Sequence, residues 1–239
     1  MSIAGRVCAL LLVLQSLLQE LEGSAPAATA AAPATAAQRP NLIMALADDL
    51  GFSDVGWVNP SVKTPTLDAL ALDGVVLHRL YVFCYCSPTR GSLLTGRLPH
   101  HDHQLNLAND QTSPVNLNMT MLPAKLKQAG YRTYMVGKWH EGLASERYTP
   151  RGRGFDRSFG FLGGGENHYT QRINTGPKAP VDYWNSALDS GRGGPDSRNG
   201  TFDTYTYWSE LDAMLTAHPA NLPLFLYLSI HMVHEPYQV

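Results

Sequence analysis

Cys86-Ser87-Pro88-Thr89-Arg90-Gly91-Ser92-Leu93-Leu94-Thr95-Gly96-Arg97 is the stretch on which the reading of this chain turns. The apolar run before it, residues 75–83, predicts a strand. Pro88 suits the first position of a helix, where its missing N–H costs nothing, and Gly96 suits the left-handed turn that ends one. The pattern therefore predicts a short helix with Cys86 at or just before its N-terminus. Free backbone N–H groups there attract anions and lower the pKa of a thiol. A lone cysteine in that place also reads as a half-buried residue beside a turn.

The totals narrow the classes. The chain has 239 residues, 44% of them hydrophobic, enough to bury a core. Its net charge of −2 gives no basic footprint for nucleic acid, so local charge must carry any anion binding. Arg6 followed by the apolar residues 7–18 and an Ala-rich stretch reads as a secretory signal peptide over residues 1–23. The apolar run is too short to span a bilayer, so no stable membrane insertion is expected. Residues 24–38, rich in Ala, Pro and Thr, read as a linker, leaving 39–239 for the folded domain. Cys8 falls in the signal, and the remaining Cys84 and Cys86 make no disulfide framework. Sequons at Asn118 and Asn199 fit the secretory route, with a lysosomal or extracellular destination.

Along the chain, residues 41–47 form a continuous apolar run, the pattern of a fully buried parallel strand, and end on Asp48-Asp49. In open α/β sheets, sites gather at the carboxyl ends of strands. Two adjacent carboxylates there suit a hard cation such as Ca²⁺, though the pair alone also reads as a solvated turn. Residues 64–74 predict a packing helix capped by Thr64, and residues 120–130 a second helix with Lys125 and Lys127 toward solvent. Between them, His100, His101, Asp102 and His103 read as a surface or substrate-rim loop, because the cluster lacks a well-spaced fourth zinc ligand.

Residues 131–136 predict a strand running into Gly137-Lys138-Trp139-His140. On an extended chain, Lys138 and His140 point the same way and pair an ammonium with a proton-transfer group; a surface lysine beside a packed histidine is the plainer reading. Residues 163–200 read as loops, with His168 on the surface. Residues 202–218 have helical spacing that puts Tyr205, Trp208, Leu211 and Leu215 in the core. Residues 223–230 predict a buried strand ending near His231 and His234, with His231 packed. Strand–helix alternation gives an α/β domain with a mostly parallel central sheet.

Three motifs then carry a resemblance. Cys86-x-Pro88-x-Arg90 followed by Leu93-x-Thr95-Gly96-Arg97, together with Gly137-Lys138-Trp139-His140 and Val233-His234-Glu235-Pro236, resembles the formylglycine-dependent sulfatases, with an arylsulfatase B-like flavour. The resemblance runs from about residue 39 to the C-terminus and implies an alkaline-phosphatase-like sandwich. Pro150-Arg151-Gly152-Arg153-Gly154-Phe155-Asp156 resembles a family stretch bordering the site. Glu141 stands where many members have leucine and is expected to alter the rim.

The chemistry implied is hydrolysis of a sulfate monoester, aryl or glycan. Formylglycine-generating enzyme oxidises Cys86, and not Cys84, because only Cys86 has Pro two residues on and Arg four residues on. One hydroxyl of the hydrated aldehyde attacks sulfur, the alcohol or phenol leaves, and the second hydroxyl expels sulfate. The resemblance assigns His140 to take the diol proton and His234 to donate to the leaving oxygen. It assigns Arg90 and Lys138 to hold the diol and sulfate oxygens, and Asp48, Asp49 and the Cys86-derived group to hold Ca²⁺. The family's later Asp-Asn pair and second lysine are not found before Val239, so a truncated, inactive amino-terminal part is expected. Two rivals remain: a phosphodiester or phosphonate hydrolase of the same superfamily, and a secreted, non-catalytic binder of sulfated glycans using His100–His103 and Arg151–Arg153.

Overall fold

The computed structural model describes residues 39–101, 114–173, 179–188, 194–195 (backbone only) and 198–238. The expected signal peptide and linker, and Asp102 and His103 of the histidine-rich loop, lie outside them. The elements run β1 (Leu42–Ala47), α1 (Pro65–Asp73), α2 (Cys86–Thr95), α3 (Leu122–Gln128), β2 (Arg132–Gly137), β3 (Arg157–Gly160), β4 (Trp184–Asn185), β5 (Gly194–Pro195), α4 (Asp203–Thr216) and β6 (Leu224–Ile230). The six strands make one sheet in the order β1-β6-β2-β3-β4-β5. The first three pairings are parallel and the last two antiparallel, so the sheet is mixed but parallel at its centre.

Side chains of successive strand residues point to opposite faces, and both faces are covered. On one face, Met135, Phe225 and Tyr227 pack with Leu94 of α2, Met121 at the start of α3, and Trp139. On the other, Tyr134, Val136, Leu224 and Leu226 pack against Tyr207, Leu211 and Met214 of α4. The result is a helix–sheet–helix sandwich whose central strands, β6 and β2, are buried on both sides.

Several expectations need correcting. Residues 75–83 are not a strand: they run as irregular chain and a turn, largely exposed, because no neighbouring ladder takes up their N–H and C=O groups among the described residues. Among the described residues β1 pairs only with β6 and is an edge strand, with Ile43 53% exposed, so its apolar run marks a strand but not full burial. Helix α1 buries no residue; Thr64 accepts a hydrogen bond from Gly56 N and donates to Asp68 Oδ1 instead of capping. In α4 the buried stripe is Asp203, Tyr207, Leu211 and Met214, while Tyr205 is 57% exposed and Trp208 41%. The expected stripe shares Leu211 with it, and Leu215 packs partly buried against the same cluster. A fully buried aspartate at the head of that stripe is invisible to an apolar period. Pro88 is the third helical residue, not the first, which places Cys86 itself on the first turn.

One backbone contact is decisive for the central pairing. Gly137 closes β2 at φ +106, a conformation that L side chains rarely adopt, and a Cβ there would run into the Ser229 carbonyl of β6. Gly137→Ala is therefore expected to cost about 3 kcal/mol or more, from strain plus loss of the close approach. A urea unfolding midpoint no lower than the parent protein's would contradict this.

Candidate active site

The parallel strands deliver the motif residues to one end of the sheet. Asp48 and Asp49 follow β1, His231 and His234 follow β6, Lys138 and His140 follow β2, and residues 161–165 follow β3. Backbone bonds lock these ends together. Asp48 N donates to Met232 O at 3.1 Å and Val233 N to Asp48 O at 2.8 Å. Lys138 N donates to Ser229 O at 2.9 Å, and His140 N to Leu162 O at 3.1 Å. Helix α2 points its N-terminus at the same place, and Gly96 ends it in the left-handed conformation at φ +69, as expected.

Asp48 is the hub. It is 3% exposed, its Oδ1 accepts from Arg90 Nη2 at 3.0 Å, and its Oδ2 accepts from Lys138 Nζ at 2.7 Å. Burial alone would raise its pKa, but the Arg90 and Lys138 charges outweigh it and hold the carboxyl below its ordinary value. Lys138 is fully buried, and desolvation with the neighbouring Arg90 charge lowers its pKa against the pull of Asp48. Arg90 also donates to Ser229 Oγ, Tyr227 Oη and Lys138 O. The resemblance assigns both cations to the diol and sulfate oxygens; in the structure both are held on the Asp48 carboxylate.

Cys86 is half-buried on the first turn of α2, while Cys84 is exposed, and both are free thiols. The neighbouring His234 is the main reason the Cys86 thiol pKa is lowered; Lys138 helps, while burial and the two aspartates oppose. The same interaction raises the His234 pKa. His234 Nδ1 donates to Glu235 O at 2.7 Å, so Nε2 is the nitrogen facing the site, 3.7 Å from Asp49 Oδ2. Ligand atoms of Asp48, Asp49 and Cys86 all lie within 4.8 Å of one another.

His140 does not follow the extended-chain alternation, because its own φ is +57. Its ring is 3% exposed and backs on Gly164, where a Cβ would stand 2.6 Å from Cε1. The His234 ring backs on Gly165, with a Cβ at 3.2 Å from Cε1. Adjacent glycines thus seat the two imidazoles on one loop. That loop is held by Asp182, whose carboxylate accepts from Leu162 N at 3.0 Å and Gly163 N at 2.6 Å.

Sequence reasoning missed Asp182, Glu166 and Asp203, all nearly fully buried, and misplaced His168. His168 is 2% exposed and its Nδ1 donates to Asp203 Oδ2 at 2.8 Å; it is not a surface residue. A Gly/Asn/Asp-rich stretch without a period carries no signal that separates a buried aspartate from a turn. Burial with the Asp203 and Asp182 charges raises Glu166 well above its ordinary pKa. Glu141 is fully buried and does not form a rim. Arg153 is 6% exposed and donates to Asn116 O and Met119 O, so it braces the chain before α3 and is not presented to a glycan. Asn118 and Asn199 both lie exposed in turns.

Residues 40–239 match the family model described as Sulfatase. Arylsulfatase J of Mus musculus is 39% identical over 202 residues, covering 84% of this chain and 33% of that protein. N-acetylgalactosamine-6-sulfatase of Mus musculus is 35% identical over 219 residues, covering 85% of this chain and 41% of that protein. The crystal structure of Ps i-CgsB superposes with a TM-score of 0.73 at 31% identity, covering 84% of this chain and 47% of that one. The chain spans between a third and a half of the length of these relatives, and its sandwich is the expected alkaline-phosphatase-like fold. With its motif residues gathered at one end of that sheet, the chain belongs to the sulfatase family.

Proposed function

We propose that this chain carries the nucleophile side of a sulfatase active site that hydrolyses aryl or glycan sulfate monoesters through position 86 oxidised to formylglycine, with Ca²⁺ as the metal. The observation that carries the reading is Cys86 on the first turn of α2, with Asp48 and Asp49 ligand atoms within 4.8 Å and His234 beside it, lowering the thiol pKa. As encoded, the donor set has two carboxylates and one sulfur, which suits a hard cation poorly. Oxidation of Cys86 makes it all oxygen and brings it into line with Ca²⁺. Formylglycine would supply a geminal diol and Ca²⁺ a positive charge beside the sulfate.

The chain's own residues do the rest. Arg90 and Lys138 fix Asp48 and leave a net positive charge under the sulfate position. His234 Nε2 adjoins position 86 and is set by the Glu235 carbonyl; His140, seated on Gly164, is the second imidazole. We assign His140 to withdraw the proton from the position-86 hydroxyl and His234 to return one to the leaving oxygen. Synthesis through the secretory pathway, with glycans on Asn118 and Asn199 and oxidation by formylglycine-generating enzyme, belongs to the same reading. Delivery is lysosomal or extracellular.

The test is turnover by the native protein made in its own secretory pathway, with the 239-residue chain alone, which spans between a third and a half of its relatives, expected to show little or none. Hydrolysis of an aryl sulfate is expected, with matched phosphate and phosphonate esters slower, and Cys86→Ala should remove it. Retained turnover in Cys86→Ala, or preference for the phosphonate, would overturn the reading. Chelation of Ca²⁺ should also lower the rate, and full activity in chelator would exclude the metal's role.

The glycine seats give an independent check. Gly164→Ala puts a Cβ 2.6 Å from the buried His140 ring and forces it to shift, so kcat should fall about 100-fold, the scale of a misplacement near 1 Å. Gly165→Ala, with its looser contact, should cost clearly less. Equal effects, or none, would mean that the loop does not position the imidazoles.

A further inference from the structure

Behind the site lies a line of buried polar groups that the reaction above does not use. Asp203, fully buried at the head of α4, accepts two hydrogen bonds on Oδ2: from His168 Nδ1 at 2.8 Å and from His231 Nδ1 at 2.9 Å. His231 is fully buried as well, and its Nε2 has no hydrogen-bond partner among the described residues. Its Nδ1–H is committed to the carboxylate, and burial lowers the ring's pKa to about 4, so the imidazole is neutral and Nε2 carries a lone pair. A buried acceptor without a donor is costly, and each such atom calls for a ligand or an explanation.

The neighbours of His231 supply one. Ligand atoms of Asp48, His231 and His234 lie within 4.8 Å of one another, and with Nδ1 taken, Nε2 is the His231 nitrogen left for that group. His234 repeats the pattern, its Nδ1–H anchored on the Glu235 carbonyl and Nε2 facing inward. Imidazoles whose second N–H is tied to a carboxylate or backbone carbonyl are the usual ligands of metal sites. Two of them with one carboxylate make a three-residue set of the kind that holds zinc with an open position. Bonds of about 2.1 Å span ligand atoms up to about 4 Å apart, so side-chain shifts of under an ångström close the set. Asp48 keeps a second lone pair on each oxygen beyond those facing Arg90 and Lys138.

We propose that Asp48, His231 and His234 form a binding site for a borderline divalent transition ion of the Zn²⁺ class, braced from behind by Asp203 and His168. It shares Asp48 with the oxygen set Asp48–Asp49–Cys86 but differs in donor type, nitrogen against oxygen, and so selects a different ion. An ion there takes the Nε2 lone pair of His234, displaces its proton and removes it from proton transfer. That inhibitory consequence rests on the reading under Proposed function; the binding does not.

The experiment titrates the metal-free full chain with Co²⁺ and follows its visible absorption, a readout that needs no turnover. One saturating set of bands per chain is expected, displaced by one equivalent of Zn²⁺ and only by a large excess of Ca²⁺. His231→Gln should weaken Co²⁺ binding at least tenfold, Asp203→Asn should weaken it through loss of the brace, and His100→Gln, outside the site, should leave it unchanged. In the unaltered protein, Zn²⁺ should shift the Nε2 nitrogen resonances of His231 and His234 in NMR, which keeps the test alive if a variant fails to fold. Displacement by one equivalent of Ca²⁺, unchanged Co²⁺ affinity in a folded His231→Gln, or Zn²⁺ shifts confined to other histidines such as His100 and His101 would each overturn the proposal.

Discussion

The carboxylate of Asp48, closed off from water between Arg90 and Lys138, is the interaction on which the rest of the structure depends. One anion faces two cations in a medium where unpaired charge is expensive. Removing any one partner strands the others, at a typical cost of about 3–5 kcal/mol. The three residues come from the end of β1, from α2 and from the end of β2, so the triad ties the edge strand, the signature helix and the central strand together. Arg90 extends the tie to β6 through Ser229 Oγ, Tyr227 Oη and the Lys138 carbonyl. The first turn of α2 cannot swing away from the strand ends while that guanidinium is held. Cys86 owes its place beside His234 to a residue one turn along that is anchored on Asp48 and β6.

Around this anchor the site divides into a charged floor and a wall of imidazoles. The floor is Asp48, Arg90 and Lys138, with net positive charge in a low-dielectric setting where it acts strongly on an anion. The wall is His140 and His234, seated on Gly164 and Gly165, and behind it stands His231, held by Asp203. Both layers depend on backbone placement: Asp182 holds the glycine loop by two N–H groups, and Gly137 lets β2 approach the Ser229 carbonyl closely. Specific distances at the site thus trace back to residues without any chemical role.

Much of this was legible in the sequence. Short apolar runs ending in Asp48, Lys138 and His234 placed three strands and put the motif residues at their carboxyl ends, because parallel strands buried on both faces need continuous apolar stretches. Gly96 marked the end of α2 because the left-handed turn there favours glycine. What failed, failed for physical reasons. An apolar run at 75–83 looks like a strand to periodicity, but a strand exists only where a neighbour supplies its ladder. The α4 stripe was misread because Asp203 is polar and buried, and hydropathy counts it as surface. His168, His231 and Asp203 are far apart in sequence and gain meaning only through Asp203 Oδ2 accepting from both rings. Lys138 and His140 were expected to project together from an extended chain; a positive φ at His140 breaks that alternation.

The central claim is that position 86 is the reactive group of a sulfatase, and it is tested most directly by peptide-mapping mass spectrometry of residues 80–90 from the protein's native source. The account predicts an aldehyde at position 86, the cysteine having exchanged its sulfur for oxygen and lost two hydrogens, while Cys84 remains a thiol. An unmodified thiol at Cys86 would leave the floor and wall of the site without a nucleophile and would contradict the account.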